Sequence, residues 1–144
     1  MSKSTQPDQR HFKRIKLMQQ LFAATFDDQL YPITANKNNQ AEVFDQAFRL
    51  PYDSDSLPEV ETIVERLDEI DQVLQQHAPE RPLTVINQVD LAILRIIVLE
   101  SMTKKTPKKV LIDEAVELAK EFGSEASPRF VNGVLGKLLV IEST

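Results

Sequence analysis

The sequence predicts an all-α protein, and three observations predict it. The first is the stretch 85–102, VINQVDLAILRIIVLESM, in which only Arg95 is polar between positions 91 and 99. A helix with no polar face must be covered on nearly all sides. The second is the spacing of apolar residues in the flanking segments, which recur three and four positions apart rather than alternating. The third is composition: 3 Gly, and 8 Pro gathered mostly between the periodic segments, suit long helices better than hairpins. A central core helix wrapped by amphipathic helices follows, as one domain or two small halves sharing a core. Burial of Ile93, Leu94, Ile97 and Leu99 contributes roughly 1.5–3 kcal/mol each. The apolar run is shorter than the ~20 residues of a membrane span. Its continuation through Val85, Val89 and Met102 makes it too long for a typical strand.

The elements follow in order. Residues 1–8 read as a tail. A first helix spans about 9–26, with Ile15, Met18, Phe22 and Phe26 on one arc and Leu17 and Leu21 widening it. Arg10, Lys13 and Arg14 fall together elsewhere on its surface by the i, i+3, i+4 rule. The segment 27–38 is a loop by composition, and Asn39 with Glu42 resembles a capping box opening a second helix that holds Val43, Phe44, Ala47 and Phe48. After the break at 51–56, Ser56 and Glu59 form another such box. The helix it opens carries Val60, Ile63, Val64, Leu67, Ile70 and Leu74 as its core stripe. Its acids, among them Asp68, Glu69 and Asp71, read as a solvated face.

APERP at 78–82 is the expected boundary between an N-terminal half, 1–80, and a C-terminal half, 81–144. Inside the central helix, Arg95 requires a carboxylate partner because an unpaired buried charge is costly, and Glu114 or Glu117 is the expected one. Thr106-Pro107 and Ser127-Pro128 each place a capping residue before a proline, the usual start of a helix. Val110, Leu111, Ala115, Leu118, Ala119 and Phe122 line the fifth helix, which Gly123 is suited to end. In the sixth, Val131, Val134, Leu135 and Leu138 share the core arc, leaving Arg129, Asn132, Gly133 and Gly136 on the surface and Phe130 at the border. Two glycines cost such a helix roughly 1 kcal/mol each relative to alanine, which suggests that a neighbouring helix or a bound partner approaches the backbone closely.

Composition excludes several kinds of chemistry. With 0 Cys there is no disulfide framework and no thiolate metal site, which fits a reducing, cytoplasmic setting. His11 and His77 are far apart in the chain, so no metal and no cofactor is expected, and no apolar run follows the N-terminal charges as in a signal peptide. Adjacent carboxylates such as Asp27-Asp28 and Asp113-Glu114 do not converge on one substrate atom, so no catalytic residue is expected either. The net charge of −5 hides an asymmetry. Residues 1–26 carry five bases and one acid, 27–80 three bases and thirteen acids, and 81–144 nine bases and eight acids. A basic end on an acidic body is a directed electrostatic feature.

Three blocks in order, AILR at 92–95, DEAVELAKEFG at 113–123 and FVNGVL at 130–135, closely resemble the NusB transcription antitermination family. RHFKRIKLMQQLFA at 10–23 is similar to that family's basic opening, although the arginine run is diluted by His11, Phe12 and lysines, and Ala126 stands where an acid is common. The resemblance implies an all-helical fold of two small bundles, about six to seven helices, packed into one domain. It implies a non-enzymatic factor that binds boxA-like single-stranded RNA together with the ribosomal protein NusE within an RNA polymerase antitermination complex. It places RNA-binding residues at Arg10, His11, Lys13, Arg14, Lys16, Ser127, Arg129, Phe130 and Asn132, and a protein-binding residue at Asp90. A competing expectation is a helical adaptor that binds proteins without RNA. The same module also occurs as the RNA-binding domain of certain ribosomal RNA cytosine methyltransferases, but no Gly-rich cofactor loop is present in these 144 residues.

Overall fold

The computed structural model describes residues 9–25, 57–78 and 81–139. Six α-helices are present among them: α1 (Gln9–Thr25), α2 (Leu57–Glu65), α3 (Leu67–His77), α4 (Gln88–Thr103), α5 (Lys108–Phe122) and α6 (Ser127–Leu138). A 3-10 turn, Leu83–Val85, precedes α4. The all-helical expectation holds. The loop at 27–38, the capping boxes that begin at Asn39 and Ser56, the helix holding Val43 to Phe48, and Phe26 lie outside the described residues. No helix among the described residues is long and apolar enough to cross a membrane.

By packing, the chain divides into two compact units, Met1–Glu61 and Thr62–Thr144. The break in helical pattern at APERP suggested 80/81 instead. The two criteria measure different things, because α3 packs on α4 and α6 although the break in helical pattern separates it from them in sequence.

In the first unit, α1 buries Leu17, Met18, Leu21, Ala23 and Ala24. Its centre is the line Leu17–Met18–Leu21–Ala24, whereas Ile15 and Phe22, expected at the centre, are half-buried. Arg14 lies one turn before Leu17 and Met18 on that line and is therefore carried inward with them, at 8% exposure.

The second unit is built around α4. Asn87 caps it, its side-chain oxygen accepting from the backbone N–H of Val89 at 2.8 Å and of Asp90 at 3.3 Å. This cap starts the helix after Val85, which stands 64% exposed in the 3-10 turn and is no part of α4. Every residue from Asp90 to Leu99 is buried, as a run without a polar face requires. Arg95 finds its carboxylate on α3: its Nε and Nη2 donate to the two oxygens of Asp71 at 2.9 and 2.8 Å. Asp71 thus leaves the solvated acidic face, and Glu114 and Glu117 are not the partners. A two-pronged pair of this kind satisfies both planar groups at once. The remaining acids of α2 and α3 behave as a surface, with Glu69 accepting two bonds from Arg66, which holds its carboxyl below the usual range.

Helix α5 buries Leu111, Ala115, Leu118 and Ala119. Val110 is 41% exposed, being off that line, and Phe122 is 37% exposed in the last turn. Thr106 does not cap α5; its hydroxyl donates to Glu100 Oε2 at 2.7 Å, tying the connection to the end of α4. Helix α6 buries Val131, Val134 and Leu135, with Leu138 half-buried.

Candidate nucleic-acid interface

The residues proposed from sequence separate into an exposed set and an internal set. On α1, Arg10, Lys13 and Lys16 are exposed and His11 is half-buried, but Arg14 is not available to a ligand at 8% exposure. Phe12, within the same basic stretch, is 48% exposed. It adds an aromatic surface to the cations, and its place inside RHFKR is its signal in the sequence.

Ser127 is 1% exposed and is not an N-cap, since Ala126 holds that position. It lies one turn before Val131 on the buried line of α6. Its Oγ accepts from the backbone N–H of Ser124 at 2.9 Å and lies 3.1 Å from Ser124 Oγ, and its hydroxyl acts on the Asp90 carboxylate. Asp90 is likewise inside, at 5% exposure. Burial pushes its carboxyl above the ordinary range, and the Ser127 hydroxyl and the Arg81 charge hold it back in part. Asp90 and Ser127 thus join the first turns of α4 and α6 instead of facing a partner. Gly123 belongs to the same corner. Its φ of −95° needs no glycine. A Cβ there would stand 2.5 Å from Ser127 Oγ and 2.9 Å from the Ala119 carbonyl oxygen, so close approach excludes a side chain.

The outward face of α6 is different. Phe130 is half-buried in a cavity of about 270 Å³ that is also lined by His77, Arg81, Arg129, Gly133 and Lys137. Arg81, Arg129, Gly133 and Lys137 are exposed. The guanidinium carbon of Arg81 is 4.8 Å from the centroid of the Phe130 ring. Gly133 and Gly136 have open space where a Cβ would be, so no neighbouring helix among the described residues requires them. Arg129 also borders a second, more open groove of about 550 Å³ between α5 and α6, and Asn132 falls there, with Asp113, Glu117 and Lys120, and not beside Phe130. Lys137 and Arg81 are the groove cations that sequence reading missed. Lys137 could have been found, since it stands seven residues after Phe130, two turns along one face. Arg81 reaches the ring through tertiary packing alone.

A half-exposed ring with three cations around it suits an unpaired base and its flanking phosphates. Among the described residues no group of three His, Asp or Glu side chains is placed to hold a metal ion.

Comparison with known proteins assigns residues 13–139 to the NusB family. The chain belongs to the NusB family. Relatives named transcription antitermination protein NusB include one from Roseiflexus sp. (strain RS-1), 48% identical over 73 residues, 49% of this chain and 51% of the relative. One from Campylobacter concisus (strain 13826) is 28% identical over 125 residues, covering 87% of this chain and 95% of its own. The chain thus spans about half the length of the Roseiflexus relative and nearly all of the Campylobacter one. Among solved structures, T. maritima NusB superposes with a TM-score of 0.68 at 26% identity, covering 94% of this chain and 92% of that one. A chain from the crystal structure of a plectonemic RNA supercoil shares the fold, with a TM-score of 0.59 at 20% identity over 90% of this chain and 94% of that one. The three blocks read in the sequence all lie inside the family match.

Proposed function

We propose that this NusB-family chain binds boxA-like single-stranded RNA together with the ribosomal protein NusE, as a non-enzymatic member of an RNA polymerase antitermination complex that supports ribosomal RNA transcription. The observation that carries the reading is Phe130, half-buried in a groove with Arg81, Arg129 and Lys137 around it. Stacking of a base on an aromatic ring is worth about 1–3 kcal/mol and is available only to unpaired nucleotides. The exposed cations of α1, Arg10, Lys13 and Lys16, supply phosphate contacts to a single strand. Protein binding is assigned to the surface at the start of α4, where Thr84, Val85 and Asn87 are exposed and Asp90 supports it from beneath.

The test is a fluorescence-anisotropy titration of boxA-like RNA against the chain, alone and with NusE from the same source. Tighter binding with both proteins than with either is the expected result. Phe130→Ala should weaken it by roughly tenfold while the helical signal persists. With about four phosphate contacts, the log–log salt slope should be roughly −3. RNA ignored in both cases while NusE still binds would establish the protein adaptor instead.

A further inference from the structure

The ring of Phe130 is not bare. Arg81 lies over it, approaching from the bend between α3 and the 3-10 turn, and one side chain pins that bend. Gln75 Nε2 donates to the carbonyl oxygens of Ala78 at 3.0 Å and Arg81 at 3.1 Å, while Gln75 Oε1 accepts from the backbone N–H of Leu83 at 3.1 Å. The backbone beneath Arg81 is therefore held by three bonds, while its side chain is exposed and rests on an aromatic face. Arg95 is the contrast, an arginine locked by two bonds to Asp71.

We propose that Arg81 is the second jaw of the RNA site: one unpaired base inserts between its guanidinium plane and the ring of Phe130. The proposal rests on reading this groove as an RNA site and adds to it the residue that closes over the base. A planar guanidinium stacks on π-faces, those of nucleobases included, which an ammonium does not. Two van der Waals contacts of about 3.5 Å on either side of a base require a separation of roughly 7 Å. From the 4.8 Å seen here, the guanidinium must withdraw by roughly 2 Å, a movement the side chain makes without disturbing the pinned backbone. The cavity of about 270 Å³ lies just under the lower bound of about 300 Å³ for larger ligands and suits a single planar ring system. Arg129 and Lys137 line the α6 side of the cavity, where the flanking phosphates would lie.

The experiment is the same anisotropy titration with the full chain, comparing wild type with Arg81→Ala, Arg81→Lys and Phe130→Ala across a salt series. Both Arg81 variants should bind roughly fivefold more weakly, because lysine keeps the charge and loses the plane. The salt slope should stay close to wild type in both variants, because Arg81 is assigned to the base and not to a phosphate. Wild-type affinity in Arg81→Lys would reduce Arg81 to a point charge and overturn the jaw. Tighter binding by Arg81→Ala would make Arg81 a competitor for the ring and overturn it as well. If Phe130→Ala weakens binding and neither Arg81 variant does, the jaw fails and the RNA site stands. If wild type binds no RNA, both fail.

Discussion

The corner joining α5 to α6 and the groove one turn further along α6 use similar residue types to opposite ends. At the corner, Gly123, Ser127 and Asp90 are turned on one another: Ser127 is 1% exposed, Asp90 5%, and the glycine leaves no space for a Cβ. In the groove, Arg81, Arg129 and Lys137 surround an aromatic ring, and Gly133 leaves open space above its backbone. A polar group that is buried and hydrogen-bonded specifies how helices meet, whereas cations left at the surface around a ring are available to a ligand. Proximity in sequence, Ser127 to Phe130, does not distinguish the two.

Substitutions can break or sharpen this contrast. The largest effect is expected from Asp90→Lys, which buries a cation beside the Arg81 charge. It should cost about 3–5 kcal/mol, seen as a lower or absent thermal transition. A variant as stable as wild type would return Asp90 to the surface. Next, Gly123→Ala should lose about 1–3 kcal/mol in denaturant unfolding, since its methyl group overlaps Ser127 and the Ala119 carbonyl. Gly133→Ala should do the opposite and gain up to about 1 kcal/mol, because the methyl meets nothing and alanine favours the helix. A loss of stability there would reveal a neighbour above Gly133.

The smallest effect is one of pH. Burial raises the Asp90 carboxyl, so the folded chain keeps that proton to a higher pH than the unfolded chain does. Ionisation of Asp90 therefore costs stability above its raised pKa, and the cost fades as pH falls through that range. Asp90→Asn should gain stability over wild type at pH 7, and the gain should shrink towards about pH 4. Equal differences at both pH values would mean that ionisation of the buried group carries no cost.

Much of the fold was legible because helical periodicity and a run without polar faces are local properties. The span Leu91–Leu99 announced a covered helix, and the stripes of α3, α5 and α6 follow from residues three and four apart. The exposed Arg129, the border position of Phe130 and the outward Gly133 were likewise legible from the helical wheel of α6. What local spacing could not supply is which of two faces a neighbour covers. Ser127 before Pro128 has the form of a cap, yet it lies on the buried line of its helix. Arg14 has the form of a surface cation, yet it shares its line with Leu17, Met18 and Leu21.

By itself, the sequence determined the helical class, the central helix, the aromatic on α6 and a family resemblance that the comparison of residues 13–139 established. Only the tertiary structure decided that Arg95 pairs with Asp71, that Asp90 and Ser127 are internal, and that Arg81 lies over Phe130. The reason is physical. Secondary structure is set by neighbours a few positions away, whereas an ion pair or a stacked cation depends on which helix ends the packing of the core brings together.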